Sequence, residues 1–571
     1  MKLIERTLES ELLAVVKELY PEIDTAGKLF VQKTGDAKFG DYQTNFAMVT
    51  AKALGRNPLE MANEIAAKYV NSSAVERAVV AGPGFINLFL SDKFLGEYVK
   101  SARTLGYDFD FMPRRGDVLV DYSSPNIAKR MHIGHLRSTV IGDSIKRIYK
   151  FLGYKVTGDN HLGDWGTQFG KLIVGYRRWL NRADYEKSPI EELERIYVEF
   201  ERRIEAEPEI AEEARVELKK LQDGDPENTR LWTEFVEMSL AEYGKIYGRM
   251  NVSFDTNFGE SYYHGRMPGV VKGLLDKGIA RISEDAAVVF FEESEHLPPC
   301  IVRKQDGAFL YATSDLACIQ FRREHYEINR IIYVTDDRQA DHFRQVFRIA
   351  DRMGWNEPKV HVPFGFMKFA DGMFSSRKGN VILLDDLLDE AVKRARAVIE
   401  EKNPGLPDSE KDSVAEKVGI GAVKYADLSK NRVSVVIFDW DKMLSFDGNT
   451  APYLMYTFAR IRSMIRKAEE AGKNLREDAD IMFHDELERA LTMRVTQFPV
   501  AVMKAAEAYS PNLIADYLFE LCQNYNSFYN ALPVLKEKDE LLYSRLLLSE
   551  RVSRVIKTGL DLLGVDTVER M

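Results

Sequence analysis

The most constraining feature of this 571-residue chain is an alternation of strand and helix patterns that begins at residue 118. The apolar run V-L-V-D precedes a helical stretch, and the same order recurs after K-V-T-G-D-N-H at 155–161 and R-I-I-Y-V-T-D-D-R-Q at 330–339. Strands joined by crossover helices form a doubly wound parallel sheet, whose ligands bind beyond the carboxyl ends of the strands. We therefore expect an α/β fold with its site at that edge.

Smaller domains are predicted on both sides of this sheet, because 571 residues exceed what one hydrophobic core supports. Residues 1–110 have the pattern of a small α/β domain, in which the stretch 40–55 is predicted to be a helix that stops at Gly55. Residues 111–425 hold the parallel sheet and begin with a linker. Strand signals nearly vanish from residue 426, so 426–571 is predicted to be a helical domain.

Two insertions are predicted within the sheet domain. The stretch at about 181–250 is highly charged and helical, and its simplest interpretation is a solvated helical insertion rather than a binding element. The stretch at about 278–312 has the pattern of short strands.

Composition excludes several classes of protein. Only three cysteines occur, far apart and without C-x-x-C spacing, which argues against a disulfide framework and a four-ligand zinc site. No apolar run reaches the roughly 18 residues that a membrane-spanning helix needs, and the N-terminus lacks a signal-type apolar core. We expect a cytoplasmic protein with no membrane partner and no bound structural metal. The net charge of −10 does not exclude a local basic face for nucleic acid.

The stretch N-I-A-K-R-M-H-I-G-H lies where the first strand of the sheet gives way to a helix. His132 and His135 are three residues apart and would lie on one face of the first helical turn. Gly134 would permit close approach of a nucleotide. A helix N-terminus attracts phosphate, and imidazoles there can donate hydrogen bonds to phosphate oxygens in a transition state. Two histidines at this spacing, taken alone, are more often structural than catalytic. The residues around them therefore determine which interpretation is favoured.

That string, S-S-P-N-I-A-K-R-M-H-I-G-H-L-R-S-T-V-I-G-D, resembles the HIGH signature of class I aminoacyl-tRNA synthetases and, in its flanks, the arginyl-tRNA synthetase family. Ordered matches continue along the chain, in G-D-N-H-L-G-D-W-G-T-Q-F-G, L-Y-A-T-S-D-L-A, G-A-V-K-Y-A-D-L-S-K-N-R and L-L-G-V-D-T-V-E-R-M. The resemblance implies a Rossmann-like catalytic domain, an N-terminal domain that binds the tRNA elbow, and a helical anticodon-binding domain. It also implies the substrates ATP, arginine and tRNA, with Mg²⁺ present, and we expect a monomer.

The second signature of this family, the KMSKS loop, corresponds to M-F-S-S-R at 373–377. Met373 and Ser376 stand where the family has lysines. The resemblance implies ATP contacts from Gly134, from Ser375, Ser376 and Arg377 of this loop, and from Lys378, which follows it. Lys129, just upstream of the histidines, is predicted to supply the missing charge beside His132 and His135 in catalysis. The alternative is an ordinary surface lysine.

Selective recognition of a guanidinium requires carboxylates and an aromatic hydroxyl, because the group is always charged and presents a planar fork of donors. Tyr311 and Asp315 are four residues apart and would share one helix face. Asp121 ends the first strand of the sheet. By resemblance these three form the guanidinium pocket, while Asn126 and Gln339 hold the amino and carboxylate end of arginine.

RNA contacts are predicted in both flanking domains. Four basic residues of one predicted helix are candidates: Arg460, Arg462, Arg466 and Lys467. The alternative is a solvated helix surface. In the N-terminal domain the candidates are Phe39, Tyr42 and Gln43, and a core role for the two aromatic residues is equally consistent with the sequence.

The overall prediction is ATP-dependent activation of arginine to arginyl-adenylate, followed by transfer to the 3′ end of its tRNA. Two alternatives stay open from the residues alone. A small-molecule nucleotidylyltransferase would share the H-x-G-H helix start, but it would not explain the terminal helices or the acidic pocket. A non-catalytic RNA-binding paralogue would fit the altered KMSKS loop, but it would be expected to lose His132 and His135.

Overall fold

The computed structural model describes residues 1–25, 27–69, 72–112, 114–369 and 382–571. The N-terminal part consists of α1 (Ile4–Leu19), β1 (Gln32–Lys33), β2 (Tyr42–Thr44), α2 (Phe46–Thr50), α3 (Pro58–Tyr69), β3 (Val75–Ala81), β4 (Phe85–Leu90) and α4 (Asp92–Ser101), with 3-10 turns at Ala37–Phe39 and Ala51–Leu54. Its strands form an antiparallel sheet in the order β1-β2-β4-β3. Amphipathic helices pack on this sheet and bury a separate apolar core.

The helix predicted for 40–55 is only partly correct. The segment Tyr42–Thr44 is the strand β2, because Tyr42 and Thr44 alternate inward and pair with β4. Helix follows from Phe46, and it ends at Gly55 as predicted, where the backbone takes the left-handed conformation with φ of 63°. The period of two over three residues was too short to stand out beside the helical pattern that follows.

The central part begins with the first half of the predicted parallel sheet and continues into the insertions. Its elements are β5 (Asp117–Asp121), α5 (Ile133–Phe151), β6 (Lys155–Asp159), α6 (Thr167–Trp179), α7 (Arg182–Lys187), α8 (Pro189–Arg203), α9 (Glu209–Gln222), α10 (Pro226–Arg249), α11 (Glu260–Tyr263), α12 (Met267–Asp276), β7 (Ala280–Ser283), β8 (Ala286–Val289) and β9 (Cys300–Arg303), with 3-10 turns at His264–Arg266 and Glu293–Glu295. The stretch 181–250 is therefore helical, and β7, β8 and β9 form a small antiparallel sheet within 278–312.

The parallel sheet is completed by elements that follow the insertions. These are α13 (Tyr311–His325), β10 (Ile328–Asp336), a 3-10 turn at Asp337–Gln339, α14 (Ala340–Arg352), β11 (Lys359–Phe364) and β12 (Met367–Phe369). The strand order is β11-β10-β5-β6, and every neighbouring pair is parallel. The predicted doubly wound α/β fold is confirmed, and the chain crosses over after β5, so the site edge lies beside the N-terminus of α5.

The C-terminal part is built from helices around one short strand. Its elements are α15 (Leu384–Lys402), α16 (Asp408–Leu428), β13 (Val436–Phe438), α17 (Trp440–Met443), α18 (Ala451–Glu470), α19 (Glu486–Thr496), α20 (Phe498–Glu507), α21 (Asn512–Ala531), a 3-10 turn at Val534–Lys536, and α22 (Asp539–Leu562). The boundary predicted at residue 425 falls inside α16, so the chain does not break there. The strand β13 pairs with β12, and one apolar core continues from the parallel sheet into the helices.

Across the described ranges, no helix has both the length and the apolar composition that crossing a membrane would require.

Candidate active site

The carboxyl ends of β5, β6 and β10 bring the predicted site residues to one edge of the sheet. β5 ends at Asp121, β6 at Asp159 and β10 at Asp336. The loop after β5 leads directly into α5, whose N-terminus therefore faces the same edge. Ser123, Ser124 and Ala128 in this loop have positive φ angles of 74°, 52° and 59°. Residues other than glycine rarely adopt this backbone conformation, so the turn is locally strained.

The two histidines form a reciprocal cap at the start of α5. The Nδ1 atom of His132 accepts a hydrogen bond from the Gly134 backbone N–H at 3.0 Å, and the Nδ1 atom of His135 accepts one from the His132 backbone N–H at 3.1 Å. The ring centroids are 4.0 Å apart. Because both Nδ1 atoms accept, each neutral ring carries its proton on Nε2. Each histidine can therefore donate an N–H to a ligand beyond the helix end.

Burial keeps both imidazoles neutral at physiological pH. The pKa of His135 is lowered to about 3, chiefly by burial and in part by the neighbouring His132. Burial also lowers the pKa of His132, and the nearby Lys129 ammonium acts in the same direction. A neutral donor can strengthen its hydrogen bond as charge develops on a phosphate, without binding the ground-state anion as tightly as a cation would.

Gly134 is required by the histidine cap itself. A Cβ atom at this position would lie 2.7 Å from Cε1 and 2.9 Å from Nδ1 of the His132 ring. The ring would have to move and would lose the hydrogen bond from the Gly134 N–H. The glycine therefore preserves the orientation of an imidazole, in addition to the open approach that the sequence predicted.

The helical insertion supports the residues that precede α5. Glu194 on α8 accepts hydrogen bonds from the backbone N–H of Arg130 and, at 2.7 Å, from its Nε atom. The half-buried Lys129 ammonium lies 4.8 Å from the ring centroid of Tyr197, also on α8. The insertion is helical as predicted, and one face of α8 also holds the chain that leads to the histidines.

The predicted guanidinium pocket lies at the start of α13. Tyr311 and Asp315 share the first turn, and the Tyr311 side chain is 72% exposed, so the pocket is open. The Asp315 carboxylate pairs with Nε2 of His342 at 2.5 Å. Tyr311 and Asp315 are thus on one face of α13, as their spacing predicts.

A second carboxylate at this pocket, Glu260, was not predicted. Its pKa is raised to about 7, chiefly by burial; His161 opposes this increase, and the carboxylates of Asp315 and Asp164 contribute to it. Glu260 in turn adds to the effect of burial in raising the pKa of Tyr311. Glu260 therefore lies close enough to both Asp315 and Tyr311 for charge effects to act between them. No local pattern in G-E-S-Y-Y indicates this role, because the partners come from a different part of the chain.

Asp121 does not belong to the open pocket. Its carboxylate pairs with Nη2 of Arg322 at 2.7 Å, and Asp159 pairs with the same nitrogen at 2.8 Å. All three side chains are buried. Because the chain's own guanidinium already occupies Asp121, the expectation that it binds a substrate guanidinium is corrected. Asp121 instead neutralises a buried arginine beneath the site.

Asn126 and Gln339 are both exposed on the same side of the sheet. The carbonyl oxygen of Asn126 accepts a hydrogen bond from the Tyr243 hydroxyl at 2.7 Å. Its side chain rests against Gly163, where an added Cβ would lie 2.1 Å from Oδ1. Gln339 ends the 3-10 turn that leads into α14. Neither amide is buried by other side chains, so both are available at the rim.

Comparison with known protein families accounts for these features together. Residues 107–440 match the model of the class I arginine tRNA synthetase catalytic domain, residues 454–571 match the DALR anticodon-binding domain, and residues 6–90 match the arginyl-tRNA synthetase N-terminal domain. The chain belongs to the arginyl-tRNA synthetase family.

Relatives of similar length support this membership. The chain is 53% identical to an arginine–tRNA ligase of Fusobacterium nucleatum over 571 residues, which cover 100% of both chains. It is 40% identical to an arginine–tRNA ligase of Escherichia coli over 555 residues, or 95% of each. The crystal structure of arginyl-tRNA synthetase from Plasmodium falciparum superposes with a TM-score of 0.81 at 27% identity, and that of Thermus thermophilus with 0.80 at 26%; each comparison covers 100% of both chains.

Membership in the arginyl-tRNA synthetase family resolves the two alternatives left open by the residues. A small-molecule nucleotidylyltransferase would not match an anticodon-binding domain or an arginyl-tRNA synthetase N-terminal domain. A non-catalytic paralogue is disfavoured because His132 and His135 are present and correctly capped. The predicted loop contacts to ATP from Ser375, Ser376, Arg377 and Lys378, like Met373, lie outside the described residues.

The predicted basic helix of the anticodon-binding domain is α18. Arg462 and Arg466 both pair with Glu569 near the C-terminus, at 3.0 and 3.3 Å. Arg460 donates to Asn526 at 2.7 Å and lies 4.8 Å from the Tyr456 ring centroid. A cavity of about 710 Å³ opens here. Its lining includes Arg460, Arg466, Lys467, Tyr456, Tyr529, Lys536 and Arg570.

The N-terminal candidates separate into surface and core residues. Phe39 is exposed beside Lys38, and Gln43 is half-buried. Tyr42 is fully buried, and its hydroxyl accepts a hydrogen bond from Nε2 of Gln497 at 2.9 Å. The expected RNA contact of Tyr42 is therefore corrected to a core role at the junction with the C-terminal helices.

Proposed function

We propose that this member of the arginyl-tRNA synthetase family activates arginine with ATP and transfers it to the 3′ end of its tRNA at the sheet edge described above. One observation supports the placement most strongly. The two Nε2–H donors of His132 and His135 and the acidic pocket of Tyr311, Asp315 and Glu260 lie at the same end of one parallel sheet. A nucleotide and a guanidinium amino acid can therefore bind side by side.

Activation is an in-line displacement at the α-phosphorus of ATP. A carboxylate oxygen of arginine forms the new O–P bond while the bond to pyrophosphate breaks, so negative charge grows on the departing phosphates. His132 and His135 donate their Nε2 protons toward these oxygens as hydrogen bonds, and Lys129 supplies a positive charge beside them. In the second step a ribose hydroxyl of the tRNA attacks the activated carbonyl, and AMP leaves.

Recognition of the amino acid is divided between two groups of residues. Asp315 and Glu260 balance the guanidinium charge, and the Tyr311 hydroxyl contributes a hydrogen bond. Asn126 and Gln339 at the rim hold the amino and carboxylate end. A pocket that pairs each guanidinium N–H rejects citrulline and ornithine, because its polar groups would be left unpaired.

Magnesium enters this scheme bound to ATP. Two charged groups act on the pKa of His132, Glu194 by raising it and Lys129 by lowering it, and Glu194 is already paired with Arg130. Such surroundings suit Mg²⁺ held by phosphate oxygens and water, with no dedicated protein cage.

We further propose that the enzyme works in the cytoplasm and that it is a monomer. Light scattering of the purified protein would test the monomeric state.

The tRNA contacts are proposed at two surfaces. The cavity beside α18 combines Arg460, Arg466 and Lys467 with Tyr456 and Tyr529, and such a mixture of cations and rings suits an unstacked base with its phosphate. In the N-terminal domain, the exposed Phe39 and the half-buried Gln43 are the candidates for contact with the tRNA elbow. The proposed domain roles follow: elbow binding by the N-terminal domain, catalysis by the parallel-sheet domain and anticodon binding by the C-terminal helices.

Aminoacylation of total tRNA with each amino acid in turn tests the function. Only arginine should be attached, and Asp315→Ala should lower kcat/KM for arginine by about 10²- to 10⁴-fold, since it removes a partner of a buried charge. The KM for ATP should stay within about threefold. Charging with another amino acid would contradict the function, while an arginine loss below about threefold would contradict only the assignment of Asp315.

A further inference from the structure

Asp315, which is proposed to bind the substrate guanidinium, is itself hydrogen-bonded to a side chain from another helix. Its Oδ2 atom lies 2.5 Å from Nε2 of His342, which is in the first turn of α14. Both side chains are mostly buried, with 18% and 28% of their surface exposed. Among the described residues, His342 is the hydrogen-bond partner of the Asp315 carboxylate. The orientation of this carboxylate therefore depends on His342.

The chemistry of the pair fixes which atom donates. An ionised carboxylate only accepts hydrogen bonds, so the proton lies on Nε2 of His342 whether the imidazole is neutral or charged. Burial alone would lower the pKa of His342, but the hydrogen bond and charge of Asp315 raise it overall. His361 on β11 is a second titratable group near His342, and its own pKa is lowered to about 4, chiefly by burial and in part by His342.

One lone pair of the Asp315 carboxylate is thereby used, and about three remain for the guanidinium. A guanidinium binds a carboxylate best through two parallel N–H donors, which requires the plane of the carboxylate to be held in one orientation. A carboxylate free to rotate about its last torsion would lose part of that binding free energy as conformational entropy.

We propose that His342 is a positioning residue for arginine recognition, which orients the Asp315 carboxylate toward the substrate guanidinium. This inference rests on the proposed assignment of Asp315 to the arginine pocket. His342 is three residues after Gln339, the N-cap of α14. One helix start therefore carries both the residue proposed for the amino and carboxylate end of arginine and the residue that orients Asp315 at the other end.

Two substitutions separate positioning from packing. His342→Phe keeps a ring of similar size and removes the donor, whereas His342→Gln keeps an N–H donor. A hydrogen bond to a charged group has a strength corresponding to a roughly 10- to 100-fold effect, so His342→Phe should raise the KM for arginine by about that factor. The kcat value and the KM for ATP should change less than about threefold, and His342→Gln should recover most of the loss. His325→Phe, at the far end of α13, is the matched control and should behave like the parent.

A double-mutant cycle with Asp315→Asn provides the second measurement. If His342 acts through Asp315, adding His342→Phe to Asp315→Asn should raise the KM for arginine little further. Additive losses would overturn the proposal, as would an unchanged arginine KM in His342→Phe or an equal increase in the KM for ATP. Should His342→Phe fail to fold in a thermal melt, the same criteria apply to His342→Ala. Charging of tRNA with arginine by the parent enzyme is measured first, so failure of the proposed function is seen separately.

Discussion

Replacing Glu260 with glutamine tests whether the ionisation of one half-buried carboxyl controls arginine binding. The pKa of Glu260 is raised to about 7, chiefly by burial, with His161 opposing the increase and Asp315 and Asp164 contributing to it. The guanidinium carries a fixed positive charge, so it binds the ionised form of Glu260 in preference to the neutral acid. Arginine binding and proton release from Glu260 are therefore coupled.

The size of the effect follows from the ionised fraction. With a pKa of about 7, roughly half of the enzyme is ready to bind at pH 7, about one tenth at pH 6 and about nine tenths at pH 8. An apparent dissociation constant rises in inverse proportion to the competent fraction. We expect the KM for arginine to increase about tenfold between pH 8 and pH 6. Glu260→Gln should raise it by about 10²-fold at pH 8 and abolish this part of the pH dependence.

Steady-state aminoacylation between pH 6 and 8.5, at saturating ATP and tRNA, measures both effects. The comparison of parent and Glu260→Gln removes the contributions of other titrating groups and of ATP. An arginine KM that stays constant over this range in the parent, or an identical slope in the variant, would refute the reasoning.

Stability provides an independent check of the same pKa. The native carboxyl keeps its proton up to about pH 7, whereas the reference pKa is 4.5, so the unfolded chain releases this proton first. The contribution of Glu260 to stability therefore falls as the pH rises from 4.5 to 7. Bound arginine opposes that loss, and its stabilising effect in a thermal melt should be larger at pH 8 than at pH 6.

Three further predictions concern other parts of the site. Lys129→Ala should slow adenylate formation by about 10²- to 10³-fold with little change in the KM for arginine, and Ser376→Lys should restore part of the rate; a variant as fast as the parent would show that the charge comes from elsewhere. Gly163→Ala should raise the KM for arginine, because its Cβ would displace the Asn126 side chain, 2.1 Å away; an unchanged KM would exclude Asn126 from binding. Arg322→Met leaves the buried Asp121 and Asp159 carboxylates unpaired and should lower the unfolding free energy by about 3–5 kcal/mol in urea titrations. The exposed Arg202→Met should have little effect, and equal losses for both variants would contradict that account.

Short-range spacing in the sequence was sufficient for the framework of the site. The alternation of strands and helices predicts the parallel sheet, since each strand needs an apolar run and each crossover needs a helix. The positions of His132 and His135 at a helix start also follow from the local string, and so does the shared face of Tyr311 and Asp315. These relations involve residues within one or two turns, where backbone geometry alone determines which side chains meet.

Only the tertiary structure decided which charges are free to bind a substrate. Asp121 has the sequence context of a pocket carboxylate, but Arg322, 201 positions later, already neutralises it. Glu260 has no distinguishing local pattern, yet folding brings it to Tyr311 and Asp315. Tyr42 is in a polar stretch, yet its ring is buried in the N-terminal core and its hydroxyl accepts a hydrogen bond from Gln497, 455 positions away. In each case the environment of a polar group is set by partners remote in the sequence, because burial and charge pairing depend on distances in space that local periodicity does not encode.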